Sequence, residues 1–176
     1  EHWDLAYGDH PITIKRNMSL NQPYMIGLML QALDVRPGHK VLEIGTGLGY
    51  QTALIAEIAH QVYSVEWQSE VLPMAQAYLQ QYGYSNIECS QAKKMIGWRT
   101  KQPYDRIIVN GSLECMPREL LKQLSPRGVL VAPIGKRKQE IFRVNNMNGN
   151  FTKRKVAEVK SLPIIREHTL TPEQIA

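Results

Sequence analysis

Cysteine is scarce in this sequence. The chain has two cysteines, Cys89 and Cys115, among 176 residues. Two distant cysteines cannot form the dense disulfide scaffold of a small secreted protein, and they do not form a Cys-x-x-Cys site. The five histidines are scattered, and none stands at metal-ligand spacing from another histidine or a cysteine. We therefore expect no metal site, and we expect a reduced, cytoplasmic protein.

Long apolar runs are also absent. No stretch approaches the roughly 20 apolar residues of a membrane span, and the first residues lack the pattern of a signal peptide. Hydrophobic residues make up 43% and charged residues 21% of the chain, which are ordinary globular values. We expect one monomeric domain over residues 1–176, with no membrane partner. The sequence begins at Glu1 and not at methionine, which leaves room for further residues upstream.

Acidic residues are few in the second half of the chain. Residues 1–88 contain 4 Lys and Arg against 9 Asp and Glu, whereas residues 89–176 contain 17 against 7. Basic residues cluster at 93–94, 136–138 and 153–155. Such clusters are usually solvated surface, and alternatively they attract an anionic peptide or a phosphate backbone. Nucleic acid stays an open alternative as partner, although no stacking motif or recognition helix supports it.

What the sequence does contain is an alternation of strand and helix patterns. Asn21 at or near a cap and Pro23 in the first turn predict one helix, and Ser69 can cap a later one. The order predicts an α/β domain whose mostly parallel central sheet is flanked by helices and ends in antiparallel strands. The predicted strands are 40–44, 62–65, 86–89, 105–110, 128–132, 140–145 and 156–164.

A loop of alternating glycines follows the first predicted strand. It reads Gly45-Thr46-Gly47-Leu48-Gly49 and precedes a helix, at the strand end where open α/β sheets bind ligands. A dinucleotide fingerprint needs its third glycine at position 50, where this chain has Tyr50. A phosphate-binding P-loop needs Gly-Lys-Ser/Thr, which is absent as well. The loop therefore predicts a ligand without a chain of phosphates.

An acidic residue accompanies the loop. Glu66 ends the next predicted strand, 21 positions after Gly45, which is the spacing at which a carboxylate binds ribose hydroxyls. A ribose and a purine without pyrophosphate describe S-adenosyl-L-methionine. Glu43 would lie under the loop and hold backbone amides, or face the amino group of the ligand. The alternative is a glycine turn that only packs a strand on a helix.

The segment 41–56, with its run from Gly45 to Ala53, resembles motif I of the protein-L-isoaspartate O-methyltransferases. The resemblance covers nearly the whole chain. It implies a Rossmann-like class I methyltransferase fold and S-adenosyl-L-methionine as cofactor. It also implies methyl transfer to the α-carboxyl of an isoaspartyl residue in damaged proteins. The other segments in the family's order and spacing are 22–25, 64–66, 97–98, 103–105, 107–109 and 132–135.

The resemblance also implies the reacting groups. A carboxylate nucleophile with a pKa near ~4 is already ionised at pH 7, so the enzyme has to align the groups and exclude water and needs no strong base. The family has a Thr and a Ser beside the methyl group and the substrate carboxylate, and Ser19 and Asn21 stand at these positions. Asn21 can still donate to a carboxylate, or it can serve only as a helix cap.

Two further departures affect the cofactor side. The family's Gly-Asp-Gly is Ala92-Lys93-Lys94 here, and Lys93 cannot accept a hydrogen bond from adenine. Trp67 follows Glu66 and either stacks on the adenine or packs in the core, and Asn110 can line the mouth of the site. The residues expected to contact the cofactor are Gln22, Glu43, Gly45, Thr46, Gly47, Gly49, Tyr50, Gln51, Glu66, Trp67, Ala92, Lys93 and Asn110.

Two alternatives remain beside isoaspartyl methylation. One is a related methyltransferase whose altered loops methylate another carboxylate or a nucleotide. The other is a degenerate protein that keeps the fold, with or without cofactor binding, and has lost turnover. The changes at Asn21 and Lys93 favour these alternatives, whereas the intact glycines and Glu66 argue against loss of cofactor binding.

Overall fold

The computed structural model describes residues 8–15, 18–92 and 96–160. A short hairpin precedes alternating strands and helices, and the last three strands follow one another. The strands are β1 (Ile12–Lys15), β2 (Met18–Leu20), β3 (Lys40–Ile44), β4 (Gln61–Glu66), β5 (Ile87–Gln91), β6 (Tyr104–Val109), β7 (Leu124–Ile134), β8 (Gln139–Met147) and β9 (Asn150–Val159). The helices are α1 (Pro23–Leu33), α2 (Tyr50–Ala56), α3 (Leu72–Gln81) and α4 (Arg118–Leu121).

Seven strands form one sheet in the order β5-β4-β3-β6-β7-β8-β9. The first five of these are parallel to one another, and β8 and β9 are added as antiparallel strands. The predicted sheet type is therefore confirmed. β3 is the middle one of the five parallel strands, and its register pairs Glu43 with Ser64 on β4 and with Ile108 on β6. This register brings polar residues from neighbouring strands together beneath the glycine loop.

Both faces of the sheet are apolar, as parallel sheets require. On one face, Val41, Val62 and Ile108 pack with Met29 of α1 and Ile55 of α2. Alternate residues of the same strands point to the opposite face, because side chains in a strand alternate. There they form a second core with the loops that follow β4 and β6. Its strand residues include Leu42, Ile44, Tyr63, Val65, Ile107, Val109 and Leu130.

Helix α1 runs antiparallel to the central strands. Arg106 near the start of β6 donates from Nε to the carbonyl of Asp34 at 2.9 Å, and Arg143 donates to the carbonyl of Ala32 at 2.8 Å. The C-terminus of α1 therefore lies at the amino edge of the parallel strands. Its N-terminus, preceded by Asn21 and Gln22, lies at the carboxyl edge, where the glycine loop is.

Several boundaries differ from the predicted ones. Gln22 and not Asn21 occupies the N-cap position of α1, and its side chain makes no capping hydrogen bond. Instead, Oδ1 of Asp9 accepts from the amide of Tyr24 in the first turn at 2.9 Å. The predicted cap at Ser69 is wrong, because α3 begins at Leu72 with Val71 before it. The last strand begins at Asn150, earlier than predicted, because β8 and β9 form one continuous hairpin. The hairpin β1–β2 had no prediction at all.

The extent of the domain stays a prediction, since residues 161–176 lie outside the described part of the chain. No helix within residues 8–15, 18–92 and 96–160 is long and apolar enough to cross a membrane. Within the same ranges no group of three His, Cys, Asp or Glu side chains could hold a metal ion.

Candidate active site

The glycine loop connects β3 to α2 at the carboxyl edge of the sheet. After α2 the chain continues into β4 on one side of β3, whereas β6 lies on the other side. Open α/β sheets form a ligand-binding crevice where neighbouring connections leave in opposite directions. Backbone hydrogen bonds fix both sides of this point, since Gly45 donates to Val65 O and Asn110 donates to Ile44 O, each at 2.8 Å.

The three glycines of the loop have different surroundings. Gly45, Gly47 and Gly49 have φ values of +94°, +54° and +87°, which are left-handed. A Cβ at Gly45 would lie 3.4 Å from Cβ of Asn110, and one at Gly49 would lie 3.2 Å from Cγ of Leu79. A Cβ at Gly47 would meet nothing within 4 Å. The outer glycines therefore let the loop pack on the protein, whereas the middle one faces open space.

The carboxylate of Glu66 contacts the loop. Its Oε2 accepts a hydrogen bond from the Gly47 amide at 2.8 Å. Its Oε1 accepts from the amides of Trp67 at 2.8 Å and Gln68 at 3.0 Å. A carboxylate has about four acceptor positions, so one position is left for a ligand hydroxyl. The predicted acid is at the loop, but most of its hydrogen-bonding capacity holds the backbone there.

Glu43 is fully buried under the loop. Its Oε2 accepts from the hydroxyls of Thr52 at 2.5 Å and Ser64 at 2.6 Å. Its Oε1 accepts from Nδ2 of Asn110 at 2.7 Å. Burial raises the pKa of Glu43 to about 7, and the three hydrogen bonds oppose this rise. The carboxylate binds side chains, and not the backbone amides considered from the sequence.

Three more of the expected site residues belong to the same network. Nδ2 of Asn110 donates a second hydrogen bond to the carbonyl of Gly45 at 3.0 Å, and its Oδ1 accepts from Nε2 of Gln51 at 2.6 Å. The hydroxyls of Thr46 and Ser64 are 2.7 Å apart. Thr46, Gln51 and Asn110 therefore support the loop from within the protein.

The two expected catalytic residues precede α1. Ser19 lies on β2 and pairs with Thr13 of β1, and Asn21 and Gln22 link β2 to α1. All three side chains are half-buried, and they make no hydrogen bond with any residue in the described ranges. Polar side chains in this state, at the edge that carries the glycine loop, are available to a ligand.

The other residues expected to contact the cofactor lie partly in the core and partly at the surface. The ring of Trp67 is 7% exposed and packs in the core, which is the packing alternative. Ala92 packs against the same core, and its amide donates to the carbonyl of Glu66 at 2.7 Å. Tyr50 begins α2 and is exposed. Lys93 lies outside the described residues.

Two residues of the network were missed from the sequence. Ser64 is a fully buried hydroxyl within the apolar strand β4, and Thr52 is a fully buried hydroxyl on α2. A single polar residue inside an apolar strand is a usable signal, because buried polar groups require partners. The pairing of Ser64 with Glu43 depends on strand register, which the sequence did not define.

Comparison with known sequences identifies the family. The sequence model described as Protein-L-isoaspartate(D-aspartate) O-methyltransferase matches residues 1–169. The protein-L-isoaspartate O-methyltransferase of Dictyoglomus turgidum is 40% identical over 169 residues, which are 96% of this chain and 77% of that protein. The chain belongs to this family. The resemblance seen in the sequence is thereby confirmed, as is a methyltransferase of the protein-L-isoaspartate type.

Solved structures of the family have the same fold. One protein-L-isoaspartate O-methyltransferase has a TM-score of 0.81 at 23% identity, over 89% of this chain and 53% of its own length. Another, from Plasmodium falciparum and in complex with S-adenosyl-L-homocysteine, has a TM-score of 0.79 at 20% identity, over 91% and 82%. The class I methyltransferase fold is confirmed.

The residues at the loop fit S-adenosyl-L-methionine, the methyl donor of the family. The open side of Gly47 gives a ligand access to the loop backbone, and Glu66 keeps one acceptor position beside it. None of the basic residues that a phosphate chain needs occurs between Gly45 and Gly49. This combination suits a nucleoside joined to an amino acid better than a nucleotide.

Proposed function

We propose that this chain methylates the α-carboxyl of L-isoaspartyl residues in damaged peptides or proteins, as the first step of their repair. Family membership supports the reaction type. The single structural observation that carries the proposal is the loop at Gly47, which is open on one side and held by the carboxylate of Glu66 on the other. This arrangement gives the methyl donor a place at the centre of the carboxyl edge.

The roles of the loop residues follow from their contacts. Gly47 would let the donor approach the backbone, Gly45 and Gly49 would let the loop pack on the protein, and Glu66 would accept one ribose hydroxyl. Tyr50, exposed at the start of α2, and Gln22, half-buried beside α1, would contact the donor from either side. The backbone at Ala92 would hold the adenine. Side chains of the buried network, including Glu43, Thr46 and Gln51, would support the loop.

Ser19 and Asn21 would orient the acceptor. S-adenosyl-L-methionine, when bound, supplies a methyl group on a positively charged sulfur. The isoaspartyl carboxylate is ionised near neutral pH, so no residue of the chain has to remove a proton from it. The hydroxyl of Ser19 and the amide of Asn21 can donate hydrogen bonds that fix the carboxylate in line with the methyl group. Exclusion of water from the site by the bound substrates would strengthen these bonds.

Methylation has a chemical purpose in repair. The methoxy group of the ester leaves more readily than an oxygen of the free carboxylate. The neighbouring backbone nitrogen can therefore attack the ester carbonyl, lose its proton and expel methanol, which closes a succinimide ring. Hydrolysis of the ring then returns part of the chain to normal aspartate. The acceptor is a peptide or protein segment with a free carboxylate, and a cytoplasmic location stays a prediction from the low cysteine content.

Calorimetry with S-adenosyl-L-homocysteine, followed by methyl transfer to paired peptides, tests the proposal. The peptides differ only in an isoaspartyl or a normal aspartyl residue, and we expect saturable binding and methylation of the isoaspartyl peptide alone. Absence of binding at millimolar concentration would support a degenerate protein and contradict the proposal. Binding without transfer to either peptide would favour a different acceptor or a protein without turnover, and would also contradict the proposal.

Asn21 is the position at which acceptor choice is most open, because its side chain is larger than the Ser found in the family. Replacing Asn21→Ser should raise kcat/KM for the isoaspartyl peptide by reducing bulk while keeping a donor, whereas Asn21→Ala should lower it. Equal rates for both variants would contradict a contact between Asn21 and the methyl acceptor.

Lys93→Asp should restore a hydrogen-bond acceptor for the adenine amino group and tighten S-adenosyl-L-homocysteine binding by about 10-fold or more.

A further inference from the structure

The amide of Asn110 has hydrogen bonds in three directions. The residue directly follows β6, and its backbone is tied to β3 through the carbonyl of Ile44. Its Nδ2 donates both to Glu43 at 2.7 Å and to the carbonyl of Gly45 at 3.0 Å. Its Oδ1 accepts from Gln51 at 2.6 Å. Both hydrogens of the amide are in use, so none is left to donate to a ligand.

We propose that Asn110 is a positioning residue, which holds the glycine loop in its binding conformation through Glu43, Gly45 and Gln51 without touching the cofactor. The proposal rests on the proposed function, since it assumes that the loop receives the methyl donor. It assigns Asn110 a role different from lining the mouth of the site. One amide joins the end of β3, the first residue of the loop and the first turn of α2.

The partners of Asn110 explain why an amide is needed here. Glu43 is wholly buried and presents Oε1 as an acceptor, and the Gly45 carbonyl is an acceptor as well. Only a group with two hydrogens can serve both, and it must also accept from Gln51. A carboxylate at position 110 could accept from Gln51, but it would face two acceptors without a hydrogen to offer them.

The electrostatic surroundings make this position sensitive to charge. The negative charge of Glu66 adds to burial in raising the pKa of Glu43 to about 7. The thiol of Cys89 also interacts with Glu43, and its pKa is raised to about 12, mainly by burial, so it stays neutral. No cation among the described residues forms an ion pair with Glu43. A second carboxylate beside Glu43 would therefore be repelled with little compensation.

Asn110→Asp tests the proposal, because it keeps the shape of the side chain and removes both donors. We expect S-adenosyl-L-homocysteine to bind about 10–100-fold more weakly at pH 8, the effect of one or two lost hydrogen bonds. As the pH falls toward 6, a proton shared between the two carboxyls should restore part of the affinity. The unaltered protein should show no such gain at low pH. Amide hydrogen exchange at Gly47 and Gly49 should accelerate in the variant.

The double variant Glu43→Gln with Asn110→Asp reverses the polarity of one hydrogen bond. A Gln at position 43 can keep its oxygen toward Thr52 and Ser64 and turn its nitrogen toward the new carboxylate. We expect it to recover at least 3-fold of the lost affinity and to lose the pH dependence of the single variant. General destabilisation alone would predict that the second substitution makes binding worse.

Asn146→Asp is the matched control. Asn146 is buried at the β8–β9 hairpin, and, like Asn110, its amide both donates and accepts: it donates to Ser125 O at 3.0 Å and accepts from Gly149 N at 2.7 Å. The Asn146→Asp variant should be less stable than the unaltered protein but should bind S-adenosyl-L-homocysteine with the same affinity. The inference is overturned if Asn110→Asp binds as tightly as the unaltered protein, or if the double variant shows no recovery. Absence of binding by the unaltered protein would instead contradict the proposed function.

Discussion

At the scale of single residues, the carboxyl of Glu43 is the least ordinary group of the molecule. It has no exposed surface, and it is neutralised by no cation that the described residues contain. Three hydrogen-bond donors stabilise its charged form, but desolvation is the larger effect and raises its pKa to about 7. The folded protein therefore holds a proton on Glu43 at pH values where the unfolded chain has released it.

This difference predicts a pH dependence of stability. Between pH 4.5 and about 7 the folded state binds more protons at Glu43 than the unfolded state, so its contribution is complete below pH 4.5 and is lost as the pH rises to 7. The loss amounts to at most about 3 kcal/mol of unfolding free energy. Glu43→Gln cannot titrate, and its stability should fall less over this interval. Urea unfolding of both proteins from pH 5 to pH 8 measures the difference.

Other groups titrate in the same interval, so the comparison must be between the two proteins. Burial lowers the pKa of His39, which contributes its own pH dependence. That contribution is the same in both proteins and cancels in their difference. Parallel stability profiles from pH 5 to pH 8 would show that Glu43 ionises in the folded state at its ordinary pKa.

The residues of the site were predictable to different degrees. The glycines and Glu66 come from short patterns whose spacing is set by one strand, one helix and the next strand. The role of Asn110 could not be found in this way, because its partner Glu43 is 67 positions away and the contact depends on β6 lying beside β3. Trp67 could be assigned to the core only from the structure, which shows a second apolar core on the face of the sheet opposite α1 and α2.

At the scale of elements, α1 depends on two arginines from the sheet. The last carbonyls of a helix lack partners within it and carry a partial negative charge. Arg106 and Arg143 donate to the carbonyls of Asp34 and Ala32, so they cap the helix from β6 and β8. The capping fixes the end of α1 at the amino edge and thereby keeps Asn21 at the carboxyl edge.

Replacing Arg143→Met should lower the free energy of unfolding by about 1–2 kcal/mol, because the Ala32 carbonyl loses a charge-assisted hydrogen bond. Arg154 is directly opposite Arg143 on β9 and is exposed, so Arg154→Met is a matched control that should change stability by less than about 0.5 kcal/mol. Urea unfolding at pH 7 compares them. Equal losses would mean that the capping hydrogen bond contributes nothing.

Secondary-structure elements could be predicted from the sequence mainly where they contain apolar runs. The five parallel strands of the sheet were all predicted, four of them from short apolar runs. β5 is the exception, because its residues are largely polar and partly buried. The hairpin β1–β2 was missed and β9 was misplaced for different reasons. β1 and β2 have four and three residues, too few to show a strand period, and most residues of β9 are polar and exposed, so it is held mainly by pairing with β8.

At the scale of the whole molecule, the positive charge of the second half falls partly on a sheet edge. Among the described residues, β9 pairs with β8 alone, so it is the edge strand of the described sheet. Its first six residues are exposed, and they include Lys153, Arg154 and Lys155. Charged side chains on an edge strand oppose pairing with a second chain. This function of the charge requires no nucleic-acid partner.

The charged edge predicts a monomer, and neutralising it should promote association. A variant with Lys153→Thr, Arg154→Thr and Lys155→Thr keeps strand-forming residues but removes the repulsion between two β9 edges. A loop variant with Lys122→Thr, Lys136→Thr and Arg137→Thr removes the same charge away from the edge and leaves Lys138, which is ion-paired with Glu158 of β9, in place. Sedimentation velocity from 5 to 200 μM should show concentration-dependent dimers for the edge variant and monomers for the loop variant and the unaltered protein.

Dimers of the unaltered protein would contradict the predicted monomer. Monomers of the edge variant would show that the positive charge does not prevent pairing of two β9 strands.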